Sequence, residues 1–153
     1  MTYRIEGLDP APFLPLAGAD DETLTAAGAL RIAVDGPGFP DRVTLRDARP
    51  GETVLLLNHV SVPRGPYRAS HAIFVIAGAA TPWRGTDDLP PVFGSRTLSL
   101  RAFSADWRLR DAVVVPGAGA DAAIRRLLED PNVVEIHAHN AAQGCFSARI
   151  ARG

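Results

Sequence analysis

Near the end of the chain, Glu135, His137 and His139 alternate with Val134, Ile136 and Ala138, and Cys145 follows shortly after. Half of the four histidines and the only cysteine fall within nine residues. In a strand, successive side chains point to opposite faces, so the acid and the two imidazoles share one face. Their Cα atoms at i and i+2 lie about 6 to 7 Å apart. Two imidazoles at that spacing chelate a transition metal only when a third ligand converges, and Glu135, His71 and Cys145 are the candidates. Spacing alone does not supply that convergence, so no metal is assigned. The plainer reading is a solvated polar face on a terminal hairpin.

Cys145 has a nucleophile's chemistry if a base or a positive field stabilises its thiolate. His139 and Arg101 are the groups placed to do so, and Asn140 is placed to orient a histidine. No cysteine-hydrolase signature surrounds it. The plainer role is a small apolar side chain packed beside Phe146. Arg101 stands inside an otherwise apolar strand, and burying it alone is costly. It calls for a carboxylate, with Glu135 and Asp111 the candidates, or for an anionic ligand. Arg68 follows a Pro-rich loop, and Asn58 ends an apolar run. Gly117-Ala118-Gly119 lacks the third glycine of a phosphate-binding turn, and Asp121 repels an anion, so it reads as an ordinary strand-to-helix turn. Trp83 and Trp107 read as core or interface anchors.

These residues need a scaffold. The 153 residues are 46% apolar, enough for one domain, taken as residues 1–153, with its own core. Sixteen basic residues against 17 acidic leave a net charge of -1, and no basic run points to nucleic acid. All the basic residues are Arg, which excludes Schiff-base chemistry and a Lys-dependent phosphate loop. One cysteine makes no internal disulfide. The first nine residues carry Arg4, Glu6 and Asp9 and no apolar core of a signal peptide. No apolar run approaches a membrane span. A cytoplasmic location is expected.

Short strands are expected near Tyr3–Leu8, Leu30–Val34, Arg42–Leu45, Thr53–His59, His71–Ile76, Thr97–Phe103, Asp111–Val115, Val133–His139 and Cys145–Ile150. Thr53–His59 is apolar on both faces and therefore central. Pro12–Leu16 suggests a brief helical turn. Asp20 to Glu22 open a helix that Gly28 stops. Ala120–Glu129 presents Ile124, Leu127 and Leu128 as one stripe, and Asp130-Pro131 ends it. Residues 77–94 hold Gly78, Pro82, Gly85, Pro90 and Pro91, and read as a lid or a surface excursion. The pattern predicts an α+β fold: a strongly bent, mainly antiparallel sheet, open or a partial barrel, with two or three helices.

The segments Thr53–Asn58, Tyr67–Val75, Leu100–Phe103 and His139-Asn140 with Gly144-Cys145-Phe146 together resemble the domain-of-unknown-function 1203 family, over nearly the whole chain. The resemblance implies a small bacterial protein and brings no activity with it.

Two functions remain open on the sequence. In the first, strand ends form a pocket that binds or transforms a small anionic molecule. Cys145 and His139 would be the catalytic pair, and Arg101, Asn140, His71, Asn58 and Arg68 the ligand-binding residues. In the second, the chain is a non-catalytic homodimeric interaction module using a sheet edge or the 77–94 loop. No cofactor, nucleic acid or membrane enters either reading. Convergence of Arg101, His71, His139 and Cys145 in one concave pocket is the feature that favours the first.

Overall fold

The computed structural model describes residues 1–153. Nine strands run β1 Tyr3–Glu6, β2 Leu30–Ala33, β3 Thr53–Val62, β4 Ala69–Ile76, β5 Arg84–Thr86, β6 Thr97–Phe103, β7 Leu109–Pro116, β8 Glu135–Asn140 and β9 Phe146–Arg152, with helices α1 Asp21–Ala26 and α2 Ala120–Leu127. Short 3-10 turns occupy Leu14–Leu16, Pro91–Phe93 and Gly117–Gly119. The strands form two open sheets, ordered β5-β1-β9-β8-β6-β7 and β2-β3-β4. Every strand pair is antiparallel. The fold is therefore α+β and mainly antiparallel, as expected, with the strands divided between two sheets. No helix is long and apolar enough to cross a membrane.

Local chemistry accounts for the elements. Asp20 caps α1 by accepting from the Thr23 amide at 2.8 Å, and Gly28 leaves the helix at φ +68°. In α2, Ile124, Leu127 and the following Leu128 are buried together with Leu98, Leu100, Ile136 and Ile150 of the large sheet. Burying each such side chain contributes about 1.5–3 kcal/mol. A second core joins Leu24 of α1 to Leu55, Leu57, Ile73 and Val75 of the small sheet. β3 is the middle strand of that sheet, in keeping with its apolar run.

Three local expectations change. Arg42–Leu45 is a turn, not a strand. Asp41 Oδ2 accepts from both the Thr44 amide and the Thr44 hydroxyl, and Leu45 adopts φ +51°, which stops extension. This segment instead connects the two sheets. The Arg42 amide donates to Phe74 O of β4 at 3.2 Å, and Arg42 O accepts from the Leu8 amide at 2.8 Å. Gly7 lies so close that a Cβ there would stand 1.8 Å from Val43 O. Residues 77–94 are no free lid, because β5 pairs with β1 and the buried Val92 and Phe93 anchor the segment in the main core.

The polar face of β8 is the third change. Glu135, His137 and His139 are 8%, 1% and 2% exposed. The alternation is real, but both faces are covered. The even residues Ile136 and Ala138 join the main core. On the other face His139 meets His71 of the small sheet, His137 packs among Phe103, Trp107 and Phe146, and Glu135 is held by His137 and Arg149.

Candidate functional site

The turn from β8 to β9 builds one wall of the seam. Asn140 is the last residue of β8, and its carbonyl accepts from the Gly144 amide at 2.7 Å. Gly144 takes φ +74°, a conformation cheap only for glycine, and sends the chain back into β9. His139 Nδ1 lies 2.9 Å from Gly144 O. A carbonyl only accepts, so Nδ1 carries the proton and Nε2 the lone pair. The imidazole thereby holds the residue before Cys145.

Cys145 is half-buried. Its sulfur accepts from Arg42 Nη2 at 3.1 Å and from Asn140 Nδ2 at 3.5 Å. Arg42 is 2% exposed. Its Nε donates to Phe146 O at 2.8 Å and its Nη1 to Pro40 O at 2.5 Å. No carboxylate pairs with it: the adjacent Asp41 is taken up by Thr44 and by the Ile76 amide at 2.8 Å. Burial pushes the guanidinium below its ordinary pKa, and the sulfur of Cys145 opposes that.

Arg42, Cys145, Asn140 and His71 line a cavity of about 350 Å³, with Arg96 and Gln143 also on its wall and Leu56, Phe74 and Pro40 as apolar surfaces. Arg96 is already neutralised by two hydrogen bonds to Asp47, at 2.6 and 3.1 Å. Asn140 Oδ1 and His71 Nδ1 are buried without a partner in the protein.

The comparisons with known proteins bear on this same stretch. A family model described as "Protein of unknown function (DUF1203)" matches residues 38–152. The chain belongs to the DUF1203 family. No curated protein and no solved structure matches it. The DUF1203 match takes in the sheet-connecting turn with Arg42 and the whole β8–β9 hairpin, so the cavity is contained within it.

Across the seam of this DUF1203 member lies a second cavity of about 270 Å³, lined by Arg101 and His139 together with Tyr67, Phe103, Leu109 and Val62. The convergence the sequence suggested is thus divided. His71, Asn140 and Cys145 share the first cavity, while Arg101 and His139 share the second. The rings of His71 and His139 touch, with centroids 4.9 Å apart. Asn58 and Arg68 belong to neither cavity and line an outer depression with Ser70. Arg68 follows the exposed Pro63–Pro66 loop, and Asn58 is itself exposed.

Burial lowers the pKa of His59, His71 and His139, and neighbouring cations add to it; His139 falls to about 4. Next to them, Glu135 accepts from Arg149 Nε at 2.6 Å and meets His137 Nε2 at 2.5 Å. Burial works against the Glu135 carboxylate, but these two hydrogen bonds outweigh it and hold its pKa below the ordinary value. No group of three His, Cys, Asp or Glu side chains is arranged to hold a metal ion.

Sequence reasoning missed Arg42, Arg96 and Gln143. Reading Arg42–Leu45 as a strand hid the first. The signal that pointed to it was an Asp-Arg pair set between Pro40 and the apolar Val43, a place where a charge has to find partners.

Proposed function

We propose that this chain binds a small anionic molecule in the cavity where Arg42 meets Cys145, with the sulfur as the atom that contacts or attacks it. Arg42 carries the reading: a cation 2% exposed, bonded to two backbone carbonyls and a sulfur, with no carboxylate paired to it, the neighbouring Asp41 being bonded to Thr44 and the Ile76 amide. A buried charge left uncompensated is costly, and a negative group relieves that cost. Two sources fit. One is the sulfur of Cys145 when it is deprotonated, 3.1 Å from Arg42 Nη2. The other is an anion in the cavity, since only three of the five guanidinium N–H donors are engaged.

The other groups have matching roles. Asn140 Nδ2 gives the sulfur a second donor. His71 is held neutral by burial, so it offers a lone pair or an N–H rather than a second charge. Arg96 is spent on Asp47 and shapes the rim. His139 acts through the backbone: it fixes Gly144 and so the approach of Cys145, which makes it a positioning residue, not a proton donor to substrate.

Alkylation of the native protein tests the reading. Iodoacetate should modify Cys145 faster, relative to iodoacetamide, than it does free cysteine, and millimolar acetate or phosphate should slow both reagents. A Cys145 that stays unmodified until the protein unfolds, or a reagent ratio equal to that of free cysteine, would overturn it.

A further inference from the structure

Arg101 sits on β6, half-buried, and its guanidinium makes a single protein hydrogen bond, Nε to Ser99 Oγ at 3.3 Å. The carboxylates the sequence offered it are engaged elsewhere. Glu135 is held by His137 and Arg149, and Asp111 by Arg126 at 2.8 Å. A half-buried arginine with both terminal nitrogens unpaired is therefore a cation directed at something outside its own fold.

What it faces is defined. Arg101 is the one permanently charged side chain lining the second cavity, and no carboxylate lines it. Val62, Ala69, Phe103 and Leu109 supply apolar surface, and Tyr67 closes one side with its ring edge-on to Phe103, centroids 6.3 Å apart. We propose that this cavity is a separate binding site for a small amphipathic carboxylate, its acid group on the free Nη1 and Nη2 of Arg101 and its apolar body among Tyr67, Phe103 and Leu109.

The chemistry selects this class over others. A planar guanidinium with two parallel N–H groups free matches a carboxylate in a bidentate pair. Apolar and aromatic walls favour a body with no further charge. A volume of about 270 Å³ matches a ring or a short chain. His139 reinforces the choice: burial and the Arg101 charge keep its ring neutral, so Arg101 has no competing cation in the cavity.

The site stands apart from Cys145, and the experiment keeps the two distinct. Titration of the purified protein, followed by NMR at the resonances of Tyr67, Phe103 and Leu109 so that only this cavity is read, compares benzoate and hexanoate with benzamide and hexanamide. The acids should bind and the amides should bind about tenfold more weakly or not at all, a ratio that reads the charge-assisted pair. Arg101→Gln should abolish the preference for the acid and, because Arg101 has no internal ion pair, should leave the melting temperature nearly unchanged. Cys145→Ala should bind the acids as the natural chain does. Equal binding of acid and amide would overturn the proposal. So would an Arg101→Gln chain that binds like the natural one, or acid binding that disappears with Cys145→Ala. An Arg101→Gln chain that melts far lower would assign Arg101 to the fold and overturn it as well.

Discussion

His71 of β4 and His139 of β8 stand edge to face across the seam, ring centroids 4.9 Å apart and planes at 77°. One ring comes from each sheet. Together they stand between the cavity of Arg42 and Cys145 and the cavity of Arg101. His59 and His137 complete the group, each packed against Phe146 at 5.1 and 5.3 Å. All four histidines of the chain thus lie at the junction of the sheets.

This junction should make the fold acid-sensitive. The pKa values of His59, His71 and His139 are lowered first by burial and then by neighbouring charges, Arg42, Arg101 and the other histidines among them. The unfolded chain therefore takes up protons before the folded one does. Stability is full above the unfolded histidine value of about 6.5 and is lost as pH falls toward 4. His139 alone, lowered to about 4, accounts for on the order of 3 kcal/mol across that window. Urea unfolding at pH 7.5, 6 and 5 should show the decline, and His139→Asn, which keeps a donor for Gly144 O, should flatten it. A stability constant from pH 7.5 to 5 would contradict this.

Arg42 should not tolerate lysine. An ammonium cannot reproduce the fork that reaches Phe146 O, Pro40 O and Cys145 Sγ at once. Arg42→Lys should cost about 2 kcal/mol or more, the scale of leaving a buried acceptor unpaired. It should also slow alkylation of Cys145. Chemical denaturation and timed labelling measure the two effects separately.

Leu128, the residue that caps the C-terminus of α2, is fully buried against the large sheet. Leu128→Ala should lower stability by about 2–5 kcal/mol, the range for a core leucine truncation. A urea midpoint unchanged from the natural chain would show that the helix packs otherwise.

Gly7→Ala should be among the most damaging small substitutions. The added Cβ would stand 1.8 Å from Val43 O and 2.8 Å from its carbonyl carbon, and β1 would have to part from the connecting turn. Overpacking against backbone costs typically 1–3 kcal/mol and here should lie at or above the top of that range. Gly18→Ala, with no atom within 4 Å of the added carbon, is the matched control and should be nearly neutral.

What the amino-acid pattern determined by itself was local and periodic. Asp20 and Gly28 bracket α1, Ile124, Leu127 and Leu128 make the stripe that docks α2, and the apolar run in Thr53–Leu57 places β3 at the centre of its sheet. Each follows from a repeat of two or 3.6 residues, or from a cap a few residues away. The tertiary structure decided what lies opposite each face. Alternation in β8 separates two faces without saying whether water or packed side chains cover the polar one. Here His71 of the second sheet covers His139, while Phe103, Trp107, Phe146 and Arg149 cover His137 and Glu135. The site is likewise a long-range product. Arg42 and Cys145 are 103 positions apart and meet only because the Asp41–Thr44 turn connects the sheets beside the β8–β9 hairpin. Arg101 and Cys145 are closer in the chain and line different cavities, because the contact between His71 and His139 depends on how two sheets pack, which no spacing along one strand encodes.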